Sequence, residues 1–265
     1  MSRGNAEYNP ELDTVRTAAI ASVLCLHFLP RGHWINRIQM ETGWGVFLFF
    51  VLSGFLITRI LLRCRAAMAA GTMTVGSSLR NFYARRFLRI FPLYYFVLFA
   101  GTALGYAGMR AGLPWHLAYL SNVYSWRLQS FGNGPAAPFW SLSVEEQFYV
   151  FWPFLILLLP LRALPRTILG IAAAGFAIRF WAHRPRSWDT ILTPACMGYL
   201  ALGAYLAISE VAVCGGSDRW RALVMRGYLI AAGAMIAGLV VVHFLLSRGT
   251  AKTILHDGLL DMAAG

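Results

Sequence analysis

The sequence predicts an all-α fold: a polytopic transmembrane helical bundle of about seven spans, with one short re-entrant or interfacial helix. Three observations carry this. The 265-residue chain is 58% hydrophobic and only 13% charged, where ordinary soluble domains are about 25% charged. Apolar runs of span length recur along it, separated by short polar stretches. Several of those stretches are rich in arginine, the mark of cytoplasmic helix ends. No repeat or low-complexity segment divides the chain, so residues 1–265 are expected to form a single integral-membrane domain.

Residues 1–11 are polar and read as a short tail. The first span, about 14–30, carries Arg16 and His27 and ends at Pro30 and Gly32. It lacks a clear small-residue cleavage site, so it reads as a permanent span and not a signal peptide. The second span, about 43–62, contains Ser53 and Gly54, small enough to let another helix approach closely. Residues 59–89 then hold seven arginines: Arg59, Arg63, Arg65, Arg80, Arg85, Arg86 and Arg89. They predict a cytoplasmic loop, hence a cytoplasmic amino terminus, with Arg16 near the inner surface and His27 near the outer one.

The third span, about 90–109, would have Pro92 in its first turn, where a missing N–H is tolerated. Residues 112–126 are too short to cross and form the expected re-entrant or interfacial helix; 129–138 is a Gly- and Pro-rich loop. The fourth span opens with WSLSVEEQFY at 140–149 and runs to about 160, with Ser143 as its cap and Glu146 completing a capping box. Arg162 and Arg166 mark a cytoplasmic turn before a fifth span at about 167–182. A sixth follows at about 190–209 and a seventh at about 226–246, separated by Arg219, Arg221 and Arg226.

The net charge of +12 rests almost wholly on arginine, Lys252 being the one lysine. The arginines lie between spans and not on one basic module, so membrane lipids fit as a partner and nucleic acid does not. Cys25, Cys64, Cys196 and Cys214 lack metal-ligand spacing, so no metal and no disulfide framework is expected.

Three constellations could carry chemistry. Arg16 and His27 are eleven positions apart, about three helical turns, so they leave one helix face roughly 16 Å apart along the axis. Ionisable groups inside a membrane are costly and tend to face a working cavity; a neutral imidazole there can take a proton from a hydroxyl. Glu145 and Glu146, at the start of the fourth span, suit the helix macrodipole. They also lie at the expected depth of His27, where a carboxylate would orient and stabilise the imidazole. Arg85, Arg86 and Arg89 fit either lipid head groups or a phosphorylated donor entering from the cytoplasm.

Arg16 with His27, FFVLSGFLIT at 49–58, FYARRFLRIFPLYY at 82–95 and WSLSVEEQFYVFWP at 140–153 together resemble the membrane acyltransferase-3 family, over roughly residues 10–160. The resemblance implies an O-acyltransferase of the bacterial inner membrane. Such an enzyme would move an acyl group, commonly acetyl, from cytoplasmic acyl-CoA to a hydroxyl of a carbohydrate or glycolipid acceptor. It implies His27 as the catalytic residue with Glu145 and Glu146, Glu145 being the favoured acid. Arg16, Arg86 and Arg89 would serve the donor with Arg85, and Trp140, Ser143 and Gln147 the substrate. Members usually carry more spans, so a shortened domain is a further expectation. Two competing readings are a non-catalytic transporter or flippase and an inactive truncated member.

Overall fold

A computed structural model describes residues 17, 19–21, 23, 44–131, 136–182 and 188–215. Thr17, Ala19, Ile20, Ala21 and Val23 are helical, as expected of the first span. Arg16, His27 and the expected seventh span lie outside the described residues. Every element among those described is helical.

Helix α1, Trp44–Ala69, is the second expected span, extended by two turns at its end. Helix α2 spans Val75–Ala103. The arginine-rich stretch 59–89 is therefore not a loop. Only residues 70–74 separate the two helices, with Gly71 at φ 72°, a left-handed turn position that favours glycine. Thr74 then caps α2 by accepting from the Ser77 N–H, and the Ser77 side chain is bonded in return to the Thr74 N–H. Charge suggested a loop, but arginine is a good helix former. The same shift places Pro92 in the helix interior, about five turns from its start, and not in a first turn.

The expected single helix at 112–126 is instead three short ones: α3, Ala107–Ala111; α4, Leu113–Leu117; and α5, Ser121–Leu128. Gly112 and the left-handed Tyr119 break the run. Helix α6, Phe139–Leu158, starts one residue earlier than expected, and this changes its first turn. Pro138 takes the cap position with no side-chain cap. Ser143 is not a cap, and Glu145 and Glu146 lie in the second turn, without the capping role read from the sequence. Helix α7, Leu164–Ala182, a short 3-10 turn at Asp189–Ile191 and helix α8, Thr193–Gly215, complete the described chain.

Helix α6 packs along both α1 and α5. Three polar clasps fix it against the first two helices. Trp152 donates from Nε1 to Thr58 Oγ at 2.8 Å, Arg65 donates to the Ile156 carbonyl at 2.6 Å, and Tyr83 donates to the Val150 carbonyl at 2.8 Å. The Ile156 carbonyl is open to Arg65 because residue 160, its ordinary helical donor, is a proline. Arg59 on α1 pairs with Glu210 on α8 at 3.3 Å. The backbones of α1 and α8 touch: a methyl group built at Gly54 would sit 1.9 Å from the Leu200 carbonyl oxygen. The small-residue contact expected at Ser53 and Gly54 is present. Among the described residues, two helices are long and apolar enough to cross a membrane, Gly45–Ala69 and Thr193–Val211.

Candidate functional site

Glu145 on α6 is buried, and two hydroxyls hold it. Ser53 of α1 donates to one carboxylate oxygen at 2.5 Å; Tyr149, one turn along α6, donates to the other at 3.3 Å. Ser53 and Glu145 are 92 residues apart in sequence, and it is the packing of α1 on α6 that joins them. The Arg86 guanidinium lies over the Tyr149 ring, 4.8 Å from its centroid. Its charge acts on both Glu145 and Glu146, and that of Arg89 acts on Glu145. The sequence assigned the acids and the arginines to opposite membrane surfaces. In the structure one aromatic ring separates Arg86 from Glu145.

Beyond Arg86 is a cavity of about 330 Å³. Arg85, Arg86, Arg89 and Asn81 line it from α2, and Arg63 and Cys64 from α1. Positions 82, 85, 86 and 89 share one face of α2 by helical periodicity. No carboxylate pairs with these four arginines among the described residues. A concave surface with four unpaired guanidiniums and an apolar lining suits a ligand with phosphate oxygens and a thin apolar arm. Sequence reasoning missed Arg63. Its signal was its position one helical turn after Arg59, on a stretch read as loop.

The other two polar residues of the motif grip the segment between α4 and α5. Ser143 Oγ donates to the Phe139 carbonyl at 2.9 Å and accepts the Ser121 N–H at 3.2 Å. Gln147, one turn on, donates from Nε2 to the Tyr119 carbonyl at 2.8 Å and to Asn122 Oδ1 at 3.0 Å. Its Oε1 accepts from the Thr193 hydroxyl of α8, which also accepts from Asn122 Nδ2 at 3.1 Å. Glu146 lies on the same face of α6, between Ser143 and Gln147. Its Oε1 is buried and has no hydrogen-bond partner among the described residues; the same is true of the Tyr119 phenol.

Trp140 is half-buried, edge-on to Phe50 at 6.1 Å and tilted against Phe131 at 5.6 Å, which in turn meets Trp188 at 4.6 Å. His116, also missed from sequence, is buried, edge-on to Phe139 at 5.5 Å and to Tyr124 at 5.7 Å. The Gly108 carbonyl, 3.3 Å from Nε2, can only accept, so Nε2 carries the proton; Nδ1 then accepts the Ser121 hydroxyl at 2.7 Å. Burial lowers the His116 pKa below its ordinary value of 6.5, with the Gly108 carbonyl partly opposing. Its signal in the sequence was a histidine inside a segment too short to cross.

A Bacillus subtilis protein provisionally named a peptidoglycan O-acetyltransferase, YrhL, is 33% identical over 164 residues, 56% of this chain and 24% of its own length. The peptidoglycan O-acetyltransferase OatA of Listeria monocytogenes is 30% identical over 187 residues, 64% of this chain and 28% of its own length. A Staphylococcus aureus protein provisionally named an O-acetyltransferase is 29% identical over 186 residues, with the same coverage. The chain thus spans about a quarter of the length of these relatives. No solved structure matches it. The model of a family described as an acyltransferase domain matches residues 9–261. That match takes in the arginine face of α2, the acid pair of α6 and nearly all of the remaining chain: the protein belongs to the acyltransferase-3 family.

Proposed function

We propose that the chain is an integral-membrane O-acetyltransferase. It takes an acetyl group from acyl-CoA at its cytoplasmic face and delivers it to a hydroxyl of a peptidoglycan-type carbohydrate on the other side. The observation that carries this reading is the continuity of the site: the arginine-lined cavity meets the buried acids through Arg86 and the Tyr149 ring. The phosphates of the donor would sit on Arg85, Arg86, Arg89 and Arg63, with Arg16 holding donor charge deeper in the helices. The thioester arm would reach towards His27 and Glu145. His27 would take the proton of the acceptor hydroxyl as its oxygen attacks the thioester carbonyl; the C–S bond breaks and the thiolate leaves, to be protonated. Glu145 and Glu146 would orient and stabilise the imidazolium. Trp140, Ser143 and Gln147 would shape the acceptor side. The relatives named for peptidoglycan O-acetylation support the acceptor class.

The membrane setting belongs to the same proposal: a bundle of about seven spans in the bacterial inner membrane, amino terminus cytoplasmic. Leu88, Leu93, Phe96 and Phe99 on α2, Phe151 on α6 and Trp181 on α7 are all more than half exposed, as lipid-facing side chains would be.

Incubating the purified chain with radiolabelled acetyl-CoA and the peptidoglycan disaccharide tests the reading. Labelled disaccharide is expected, and its loss in His27→Ala. A protein that neither transfers acetyl nor hydrolyses the thioester is instead a transporter or an inactive relative.

A further inference from the structure

Ser53, Glu145 and Tyr149 form a buried polar cluster where α1 packs on α6. Each carboxylate oxygen of Glu145 accepts a hydroxyl, that of Ser53 at 2.5 Å and that of Tyr149 at 3.3 Å. Glu146, its neighbour, differs: its Oε1 has no hydrogen-bond partner among the described residues. A glutamate has several rotatable bonds, and holding both oxygens at its tip removes rotamer freedom that one bond leaves.

The kind of donor matters. A guanidinium bonded to the acid would neutralise the charge that a carboxylate needs to stabilise an imidazolium. Arg86 meets the Tyr149 ring instead, 4.8 Å from its centroid. Hydroxyls orient a carboxylate without adding a counter-charge. A carboxylate has about four acceptor positions, so these two bonds leave each oxygen able to accept an incoming N–H.

A purely architectural reading competes, because buried polar bonds also clasp helices. The Trp152 to Thr58 bond, 2.8 Å long and between the same two helices, is such a clasp. It needs one bond, whereas Glu145 is held by two. The second of these, from Tyr149, comes from the same helix as Glu145 and joins nothing across the interface. We infer that Ser53 and Tyr149 are positioning residues for acyl transfer, acting through Glu145 by fixing the direction of its carboxylate. This rests on the transferase reading for the role of Glu145.

The test is steady-state acetyl transfer from acetyl-CoA to the peptidoglycan disaccharide by the full chain in detergent, with melting temperatures on the same samples. Wild type, Ser53→Ala, Tyr149→Phe and Thr58→Val are compared. Ser53→Ala and Tyr149→Phe each remove one hydroxyl from Glu145, and the phenylalanine ring stays under Arg86. Thr58→Val breaks the matched clasp and leaves Glu145 untouched. Ser53→Ala is expected to lower kcat by about tenfold to a hundredfold, Tyr149→Phe by less, both with the KM for acetyl-CoA unchanged. Thr58→Val is expected to melt lower than wild type and to keep its kcat. Should Ser53→Ala not fold, Tyr149→Phe decides in the same terms. Wild-type kcat in both hydroxyl variants, an equal fall in Thr58→Val, or a loss carried by KM overturns the assignment and leaves the transferase reading standing; no transfer by wild type overturns both.

Discussion

Glu145 and Glu146 are neighbours in sequence with different surroundings. Glu145 faces α1 and is held by Ser53 and Tyr149; Glu146 faces the turn after α4 with one oxygen unclaimed. Both acids were visible in the sequence as a pair, as were Arg86 and Arg89. Their division of labour was not, because it depends on which helix packs on which face of α6. His116 and Tyr119 were hidden for a related reason: they matter through a turn whose geometry is imposed by Ser143 and Gln147, more than twenty residues later. His116 carries a pH prediction. Its folded pKa lies below the unfolded value, so on acidification the unfolded chain takes up the proton first. The stability it contributes is full above about pH 6.5 and is lost as pH falls through that value towards the folded pKa. The melting-temperature advantage of wild type over His116→Gln is therefore expected to shrink between about pH 8 and pH 5. An advantage that stays constant over that range would show that His116 is not held neutral.

At the scale of elements, the apolar runs were legible, and α1, α6, α7 and α8 fall close to where periodicity and length placed them. The boundaries were not. The start of α2 is set by a local capping box at Thr74 and Ser77, which competes with the strong loop signal of clustered charge. The start of α6 is set by Pro138, which moved Ser143 and both acids inward by a turn or more. Gly54 illustrates an element-scale constraint that the sequence did reveal. Any side chain there meets the backbone of α8, which cannot move aside as a flexible side chain can. Gly54→Leu is expected to destabilise the protein by about 1–3 kcal/mol, seen as a lower melting temperature in detergent. The same substitution at Gly76, where an added carbon meets nothing within 4 Å, is the matched control and is expected to melt near wild type.

For the molecule as a whole, the arrangement that matters is a chain of contacts across α2, α6 and α5. Arginines line a cavity at one end, Arg86 lies over Tyr149, and Tyr149 donates to Glu145; on the adjoining face of α6, Ser143 and Gln147 hold the turn before α5. The sequence pointed to Arg85, Arg86, Arg89, Glu145, Glu146, Ser143 and Gln147, gave Arg63 no role in the site, and separated the parts too widely. Linear spacing along a span measures depth along one helix, whereas Arg86 reaches Tyr149 laterally from the neighbouring helix. Under the proposed function, donor and acceptor approach from opposite ends. The most direct test is a sided assay in sealed proteoliposomes of known orientation, with acetyl-CoA supplied only to the compartment facing Arg85, Arg86 and Arg89, and the peptidoglycan disaccharide only to the other. Acetylated disaccharide accumulating in the acceptor compartment, and abolished by Arg86→Ala, is the predicted result; product that forms only when both substrates share one compartment would contradict the account.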